Sequence, residues 1–97
     1  MKTIKAILTQ EFLEDLASRS NFRYGKAIAK DGDVTMLETN TFSVLAKVKH
    51  GQGETRTVKL ESTPKGFRWK CTCTSRKDLF CKHAVAVGLY AAENLQF

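Results

Sequence analysis

Long apolar runs are absent from the chain, and the apolar stretch near its start, Ala6 to Leu8, is short. A membrane-spanning helix needs roughly 18 apolar residues, and a secretory signal needs a longer apolar core than this one. The pattern therefore predicts a protein without a membrane partner, located in the cytoplasm or the nucleus. Internal repeats and linker-like tracts are also absent, so we expect the 97 residues to form one folded domain.

Groups of residues that catalysis requires are also missing. No nucleophile is placed beside a base, no pair of carboxylates stands out, and no glycine loop is suited to cradle a phosphate. His50, one of two histidines, lies in a glycine turn, where exposure to solvent explains it. We therefore expect a binding module, with no enzymatic activity and no small-molecule substrate.

Negative charge is in short supply, with 10 aspartates and glutamates against 16 lysines and arginines, which gives a formal net charge of +6. A basic domain attracts the phosphates of nucleic acids, but excess charge also simply keeps a protein soluble. Composition alone leaves both explanations open.

Residues 1–32 are predicted to form a helical segment. Thr9 can cap a helix that ends near Ser18 to Ser20. The apolar face of this helix would be formed by Phe12, Leu13 and Leu16. Ser20 can cap a second helix, Asn21 to Lys30, which Asp31 and Gly32 would end because glycine is favoured just past a helix.

From residue 33 onward, apolar and polar residues alternate, which is the spacing of β-strands. The apolar positions expected to share a face are Val34, Met36, Phe42, Val44, Ala46 and Val48. A glycine turn at residues 50–53 leads into Thr55 to Glu61, so these two strands should form an antiparallel hairpin. Phe67 to Lys70 is predicted as a further strand, and Ala84 to Glu93 as a helix that is apolar on nearly every side.

The fold class expected from these elements is α+β. N-terminal helices would precede an antiparallel sheet of three or four strands, and a C-terminal helix would close the chain. Residues 33–97 would hold the sheet and the C-terminal unit, in one folded body with residues 1–32.

All three cysteines and one histidine fall within residues 71–83, as Cys71, Cys73, Cys81 and His83. Three thiolates and one imidazole form a complete tetrahedral ligand set for structural zinc. A disulfide is disfavoured because a bridge between Cys71 and Cys73 would close a strained ring and an odd count leaves one thiol over. Inert buried thiols are the other alternative. Four protein ligands leave no open position for water, so we expect one structural Zn²⁺ and no catalytic metal.

The ligand spacing fits an extended segment followed by a helix. Residues two apart on a strand point the same way, so Cys71 and Cys73 can bind one ion, with Phe67 and Trp69 on the same side. Residues two apart on a helix diverge, so Cys81 should precede the final helix and His83 should lie in its first turn. The metal would then fasten a strand to the start of a helix.

The order Cys71-x-Cys73, seven residues, then Cys81-x-His83, followed by a helix rich in alanine and valine, resembles the SWIM zinc finger. The resemblance covers about residues 67–90. Upstream, Asn21-Phe22-Arg23-Tyr24-Gly25 and Asp31-Gly32-Asp33-Val34 are similar to the lead-in of SWIM domains attached to bacterial SWI/SNF-class ATPases. Many SWIM proteins have proline just after the second cysteine, where this chain has Thr74. The resemblance implies a ββα-like zinc unit that binds DNA or other proteins.

Two sets of basic residues are candidates for contact with nucleic acid. The helix set recurs at helical spacing and consists of Arg19, Arg23, Lys26 and Lys30. The finger set flanks or interrupts the ligands and consists of Arg68, Lys70, Arg76, Lys77 and Lys82.

A helix N-terminus beside the finger set would add N–H donors for a phosphate. We expect nucleic-acid binding through the surface around the finger, with DNA favoured over RNA. Lys47, Lys49 and Lys59 on the outward sheet face can extend that surface or only keep the face hydrated.

A protein partner is the competing expectation. The C-terminal helix exposes little polar surface because it carries Val85, Val87, Leu89 and Tyr90. It would therefore belong either to the core or to the interface of a protein–protein adaptor.

Overall fold

Three helices occupy the N-terminal part of the chain. The computed structural model describes residues 2–31, 33–50, 54–72 and 80–95, without the side chains of His50 and Glu54. Helix α1 spans Ile4–Ile7, α2 spans Gln10–Leu16 and α3 spans Arg19–Lys30. The sequence patterns predicted α2 and α3 but not α1.

A hydroxyl side chain caps each of these helices. Thr3, Thr9 and Ser18 each accept a hydrogen bond from the backbone N–H three residues later, at 3.1 to 3.2 Å. The cap at Thr9 was predicted, but the cap of α3 is Ser18 rather than Ser20. Helix α2 also ends earlier than expected, at Leu16, and extended backbone at Ala17 allows α3 to begin at Arg19.

Four antiparallel strands and a C-terminal helix follow, so the predicted α+β fold is confirmed. The strands are β1 Val34–Thr39, β2 Ser43–His50, β3 Glu54–Thr63 and β4 Gly66–Cys71, and α4 spans Lys82–Asn94. The strands lie side by side in the order of the sequence. The predicted hairpin of β2 and β3 pairs without interruption from Ser43 opposite Glu61 to His50 opposite Glu54. Gly32 and the turn residues 51–53 lie outside the described residues.

The inner face of the sheet is the face that the helices cover. Val44, Ala46 and Val48 on β2 have no exposed surface, which confirms the predicted alternation on that strand. The same prediction is wrong for Phe42, which is 38% exposed. Phe42 precedes β2, and its N–H donates to Asn40 Oδ1 at 2.9 Å. It therefore belongs to the turn between β1 and β2 and not to the alternating pattern of strand β2.

Helix α4 lies at the centre of the core, as its composition indicated. The residues from His83 to Gly88 are all buried, as is Ala91. This helix packs mainly against α3 and also touches all four strands. None of the described helices is long and apolar enough to span a membrane.

Gly25 sets the close approach of α3 to α4. A Cβ atom at this position would lie 2.5 Å from Val85 Cβ and 2.8 Å from the carbonyl oxygen of Lys82. Glycine to alanine in a helix interior normally stabilises by about 1 kcal/mol. For Gly25→Ala we expect the opposite, a loss of about 1 to 3 kcal/mol in the free energy of unfolding measured in urea, because the clash involves backbone.

Gly88→Ala is the matched control for this prediction. The added Cβ would meet Leu13 Cδ2 at 2.7 Å, and the end of a leucine side chain can rotate away. We therefore expect a smaller loss for Gly88→Ala. Stability equal to or above that of the unsubstituted protein in Gly25→Ala would contradict the role given to Gly25.

Candidate metal centre

Two cysteines and a histidine from two elements meet at one end of the sheet. Cys71 is the last residue of β4, Cys81 is the N-cap of α4, and His83 lies in the first turn of that helix. One donor atom from each lies within 4.8 Å of the others. This arrangement confirms the predicted positions of these three residues at the end of a strand and the start of a helix.

Zinc fits this donor set. A tetrahedral ion with bonds of about 2.0 to 2.3 Å separates its ligand atoms by about 3.4 to 3.8 Å. Cys71 Sγ and His83 Nδ1 lie 3.8 Å apart, and all three donor atoms lie within 4.8 Å of one another, a limit about 1 Å beyond that range. Small rotations about side-chain bonds would close this gap, so the described residues can supply three of the four ligands.

The fourth predicted ligand, Cys73, lies outside the described residues. So do Thr74 and two members of the finger set, Arg76 and Lys77. The assignment of Cys73 as a ligand therefore stays a prediction from the sequence.

The position of Cys81 at a helix start favours negative charge on its sulfur. The backbone N–H of Ala84 donates to Cys81 Sγ at 3.4 Å, so the thiol occupies the place that a serine or aspartate side chain takes at other helix starts. The partial positive charge of the helix N-terminus acts in the same direction. Cys81 is 2% exposed and His83 is 5% exposed, whereas Cys71 is half-buried. The site is thus shielded on its helical side.

Helix α3 holds the helical half of the site in place. Asn21 Nδ2 donates to the carbonyl oxygen of Phe80 at 3.3 Å, one residue before Cys81. Gly25 brings the same helix against the carbonyl of Lys82, the residue between the two ligands. The segment from Asn21 to Gly25, singled out in the sequence for its resemblance to a lead-in, therefore supports the ligand-bearing turn directly.

Aromatic rings cover the strand side of the site. Trp69 and Phe67 lie on the inner face of β4, the face of Cys71, as predicted. Phe80, which is 2% exposed, meets Trp69 edge-to-face at 5.3 Å between ring centroids and Phe67 at 6.0 Å. Phe80 was not among the residues predicted for the site, although a large aromatic residue directly before a predicted ligand indicates a covering role.

The structure divides the finger set between two faces. Arg68 and Lys70 point away from the helices, on the outer face of the sheet, as predicted from the alternation on β4. Lys82 lies on the helical side, where its Nζ is 5.8 Å from the centroid of the Tyr24 ring. The helix set is exposed along α3, on the same helix as Tyr24. The basic residues near the metal centre therefore do not form one continuous patch among the described residues.

Comparison with known proteins gave no relative. No family model matches the chain, and neither the curated proteins nor the solved structures contain a significant match.

Proposed function

We propose that this domain is a SWIM-like zinc module that binds DNA through basic residues beside the metal centre. The zinc ion would be held by Cys71, Cys73, Cys81 and His83 and would have a structural role. The observation that carries the proposal is the meeting of Cys71, Cys81 and His83 within 4.8 Å at the junction of β4 and α4.

A structural ion suits a chain of this size. A domain of about 100 residues buries a smaller share of its surface than a large one, so a metal that joins distant segments adds stability that packing alone does not supply. Here the ion would link the end of the edge strand β4 to the start of the central helix α4. With four protein ligands it would offer no site for a reacting water, which supports a binding role over an enzymatic one.

The charge around this junction supports nucleic acid as the partner. The strand that carries Cys71 carries Arg68 and Lys70 on its outer face, and the helix turn that carries His83 carries Lys82 on the helical side, so positive charge lies on both faces beside the site. The formal net charge of the whole chain is +6. Binding to phosphates would follow from this charge without any dedicated recognition helix.

The competing function, a protein adaptor that uses α4, receives less support from the structure. An adaptor would need an exposed apolar surface on that helix. Val85 and Val87 are fully buried, and Leu89 and Tyr90 are half-buried. The apolar surface of α4 is thus largely used in the core of this chain.

A binding titration tests the proposal. Zinc-loaded protein would be titrated with labelled single- and double-stranded DNA and RNA at about 50 and 200 mM salt. We expect binding to DNA that weakens steeply with salt, because each phosphate contact releases bound counterions. We also expect the triple variant Arg76→Gln, Lys77→Gln, Lys82→Gln to bind more weakly.

The matched control removes three charges at the other end of the sheet. Lys2 and Lys5 flank the start of α1, and Lys65 lies in the turn between β3 and β4. Replacement of these three lysines by glutamine should change affinity much less. No binding at the lower salt concentration, or equal losses in both triple variants, would contradict the proposed surface.

A further inference from the structure

The outer face of the sheet is not covered by any described element. Its side chains are the outward members of the alternating pattern, and β2, β3 and β4 contribute basic residues to it. These are Lys47, Lys49, Lys59, Arg68 and Lys70, which we call the sheet band. All of them are exposed, and none belongs to the helix set.

The strand register arranges the sheet band diagonally. Lys59 lies between Lys70 on β4 and Leu45 on β2, and Arg68 lies two residues before Lys70. Lys47 and Lys49 follow Leu45 by two and four residues, toward the opposite end of the sheet. With about 3.4 Å per residue and about 4.8 Å between strands, the band extends roughly 22 Å from Arg68 to Lys49.

Few acidic side chains oppose this charge. Among the described outward positions there are three. Glu38 lies on the far edge strand β1, Asp33 lies just before that strand with its carbonyl oxygen accepting from the Lys49 N–H at 3.0 Å, and Glu61 lies beside the band. Glu61 Oε2 is 3.9 Å from Lys59 Nζ, with the two side chains 35% and 51% exposed, and Glu61 is also the register partner of Arg68. An exposed pair of this kind contributes little to stability, and the five basic residues outnumber the three acidic ones on this face.

We propose that the sheet band binds the phosphate backbone of duplex DNA. This inference rests on the proposed function and adds to it the surface and the form of the nucleic acid. Charge complementarity favours a polyanion. Proteins that bind single strands stack bases on exposed aromatic rings, and the described outward positions of this sheet carry no aromatic side chain. A cationic face without exposed rings suits the regular phosphates of a duplex instead.

The dimensions of the band set the expected binding parameters. A length of roughly 22 Å corresponds to about six base pairs of B-DNA at 3.4 Å each. If all five basic residues neutralise phosphates, the logarithm of the binding constant should fall with the logarithm of salt concentration with a slope of about −4.5. Affinity should depend little on base sequence, because phosphate contacts carry no sequence information.

The direct test is the double variant Lys47→Gln, Lys49→Gln, with Lys2→Gln, Lys5→Gln as a control that removes equal charge. All four lysines are exposed. We expect the band variant to bind duplex DNA about 60-fold more weakly at 0.1 M salt, with a slope smaller by about 1.8, while the control changes much less. Circular dichroism and zinc content would establish that both variants remain folded.

A second variant should change affinity in the opposite direction. Glu61→Gln removes the carboxylate beside Lys59 and Arg68, so we expect duplex binding to tighten, by up to about eightfold at 0.1 M salt. A variant that is merely destabilised would not bind more tightly. Unchanged or weaker binding by Glu61→Gln would count against the band.

The outcomes separate this inference from the proposed function. Loss of binding in Lys47→Gln, Lys49→Gln together with a gain in Glu61→Gln supports the band. Full binding by the double variant, with loss in the variant at residues 76, 77 and 82, overturns the band and leaves the proposed function standing. A clear preference for single strands or for RNA over duplex DNA also overturns the band. Absence of any nucleic-acid binding by the unsubstituted protein overturns both.

Discussion

Replacement of His83 by glutamine is expected to release zinc from the domain. The imidazole is one of four predicted ligands and is 5% exposed, so no water or neighbouring side chain can take its place without rearrangement. Loss of a group that merely orients a ligand lowers metal affinity by about 10- to 100-fold, and loss of a ligand itself should exceed that range. Because binding energy is folding energy in small zinc domains, the melting temperature should fall as well.

The second histidine provides the control. His50 is the last residue of β2 and lies opposite Glu54 on β3. Cys71 lies opposite Val58, four residues further along β3, so His50 and Cys71 are separated by about 14 Å along the strand direction. The variant His50→Gln should retain zinc and stability. Equal zinc content in His83→Gln and in the unsubstituted protein would show that His83 is not a ligand.

Truncation of Phe80 to alanine is expected to have the second largest effect. The side chain is 2% exposed and contacts both Trp69 and Phe67, so its removal leaves a cavity between the strand and the helix. Substitutions of this kind lower the free energy of unfolding by about 3 to 5 kcal/mol. Denaturation in urea of the zinc-loaded protein measures the loss.

Phe42→Ala is the matched comparison, since Phe42 is 38% exposed in a turn. Its loss should be about 1 to 2 kcal/mol, because this ring already exposes more than a third of its surface to water. We further expect Phe80→Ala to weaken zinc binding, because Phe80 directly precedes Cys81 and loss of its ring contacts with Trp69 and Phe67 loosens the position of that residue. Similar losses for both phenylalanines would contradict the buried position of Phe80 against Trp69 and Phe67.

The elements that the sequence predicted are those with strong local signals. The alternation from Val44 to Val48 reports a strand with one buried face, and the register of the hairpin follows from it. The prediction placed the cap of α3 at Ser20 because it extended α2 to about Ser18 to Ser20, whereas the observed cap is Ser18. The helix starts at this earlier serine because the extended residue Ala17 already separates it from α2.

Helix α1 could not be predicted because long-range contacts hold it. It has only four residues, too few for a periodic pattern. The Ile4 N–H donates to the carbonyl oxygen of Thr41 at 2.8 Å, and Ser62 Oγ donates to that of Lys2 at 2.6 Å. Thr41 and Ser62 are both distant from α1 in sequence, so these contacts form only in the folded chain and local sequence cannot indicate them.

The meeting of Cys71, Cys81 and His83 was predictable from the sequence, but the contacts that support it were not. Cysteine and histidine are rare in this chain, so their concentration in one segment identified the site, and strand and helix periodicity placed Cys71, Cys81 and His83 correctly. The contacts of Asn21 and Gly25 with the ligand-bearing turn join residues about 60 positions apart in sequence. Packing of α3 on α4 creates them, and no local pattern encodes that packing.

Native mass spectrometry of the zinc-loaded protein, combined with thiol alkylation under native conditions, tests the metal centre most directly. We expect one zinc ion per chain and protection of all three cysteines, with both lost together on chelation and with a lower melting temperature in the chelated protein. A chain that binds no zinc, or one whose melting temperature and cysteine reactivity are the same with and without chelator, would contradict a structural zinc that joins β4 to α4.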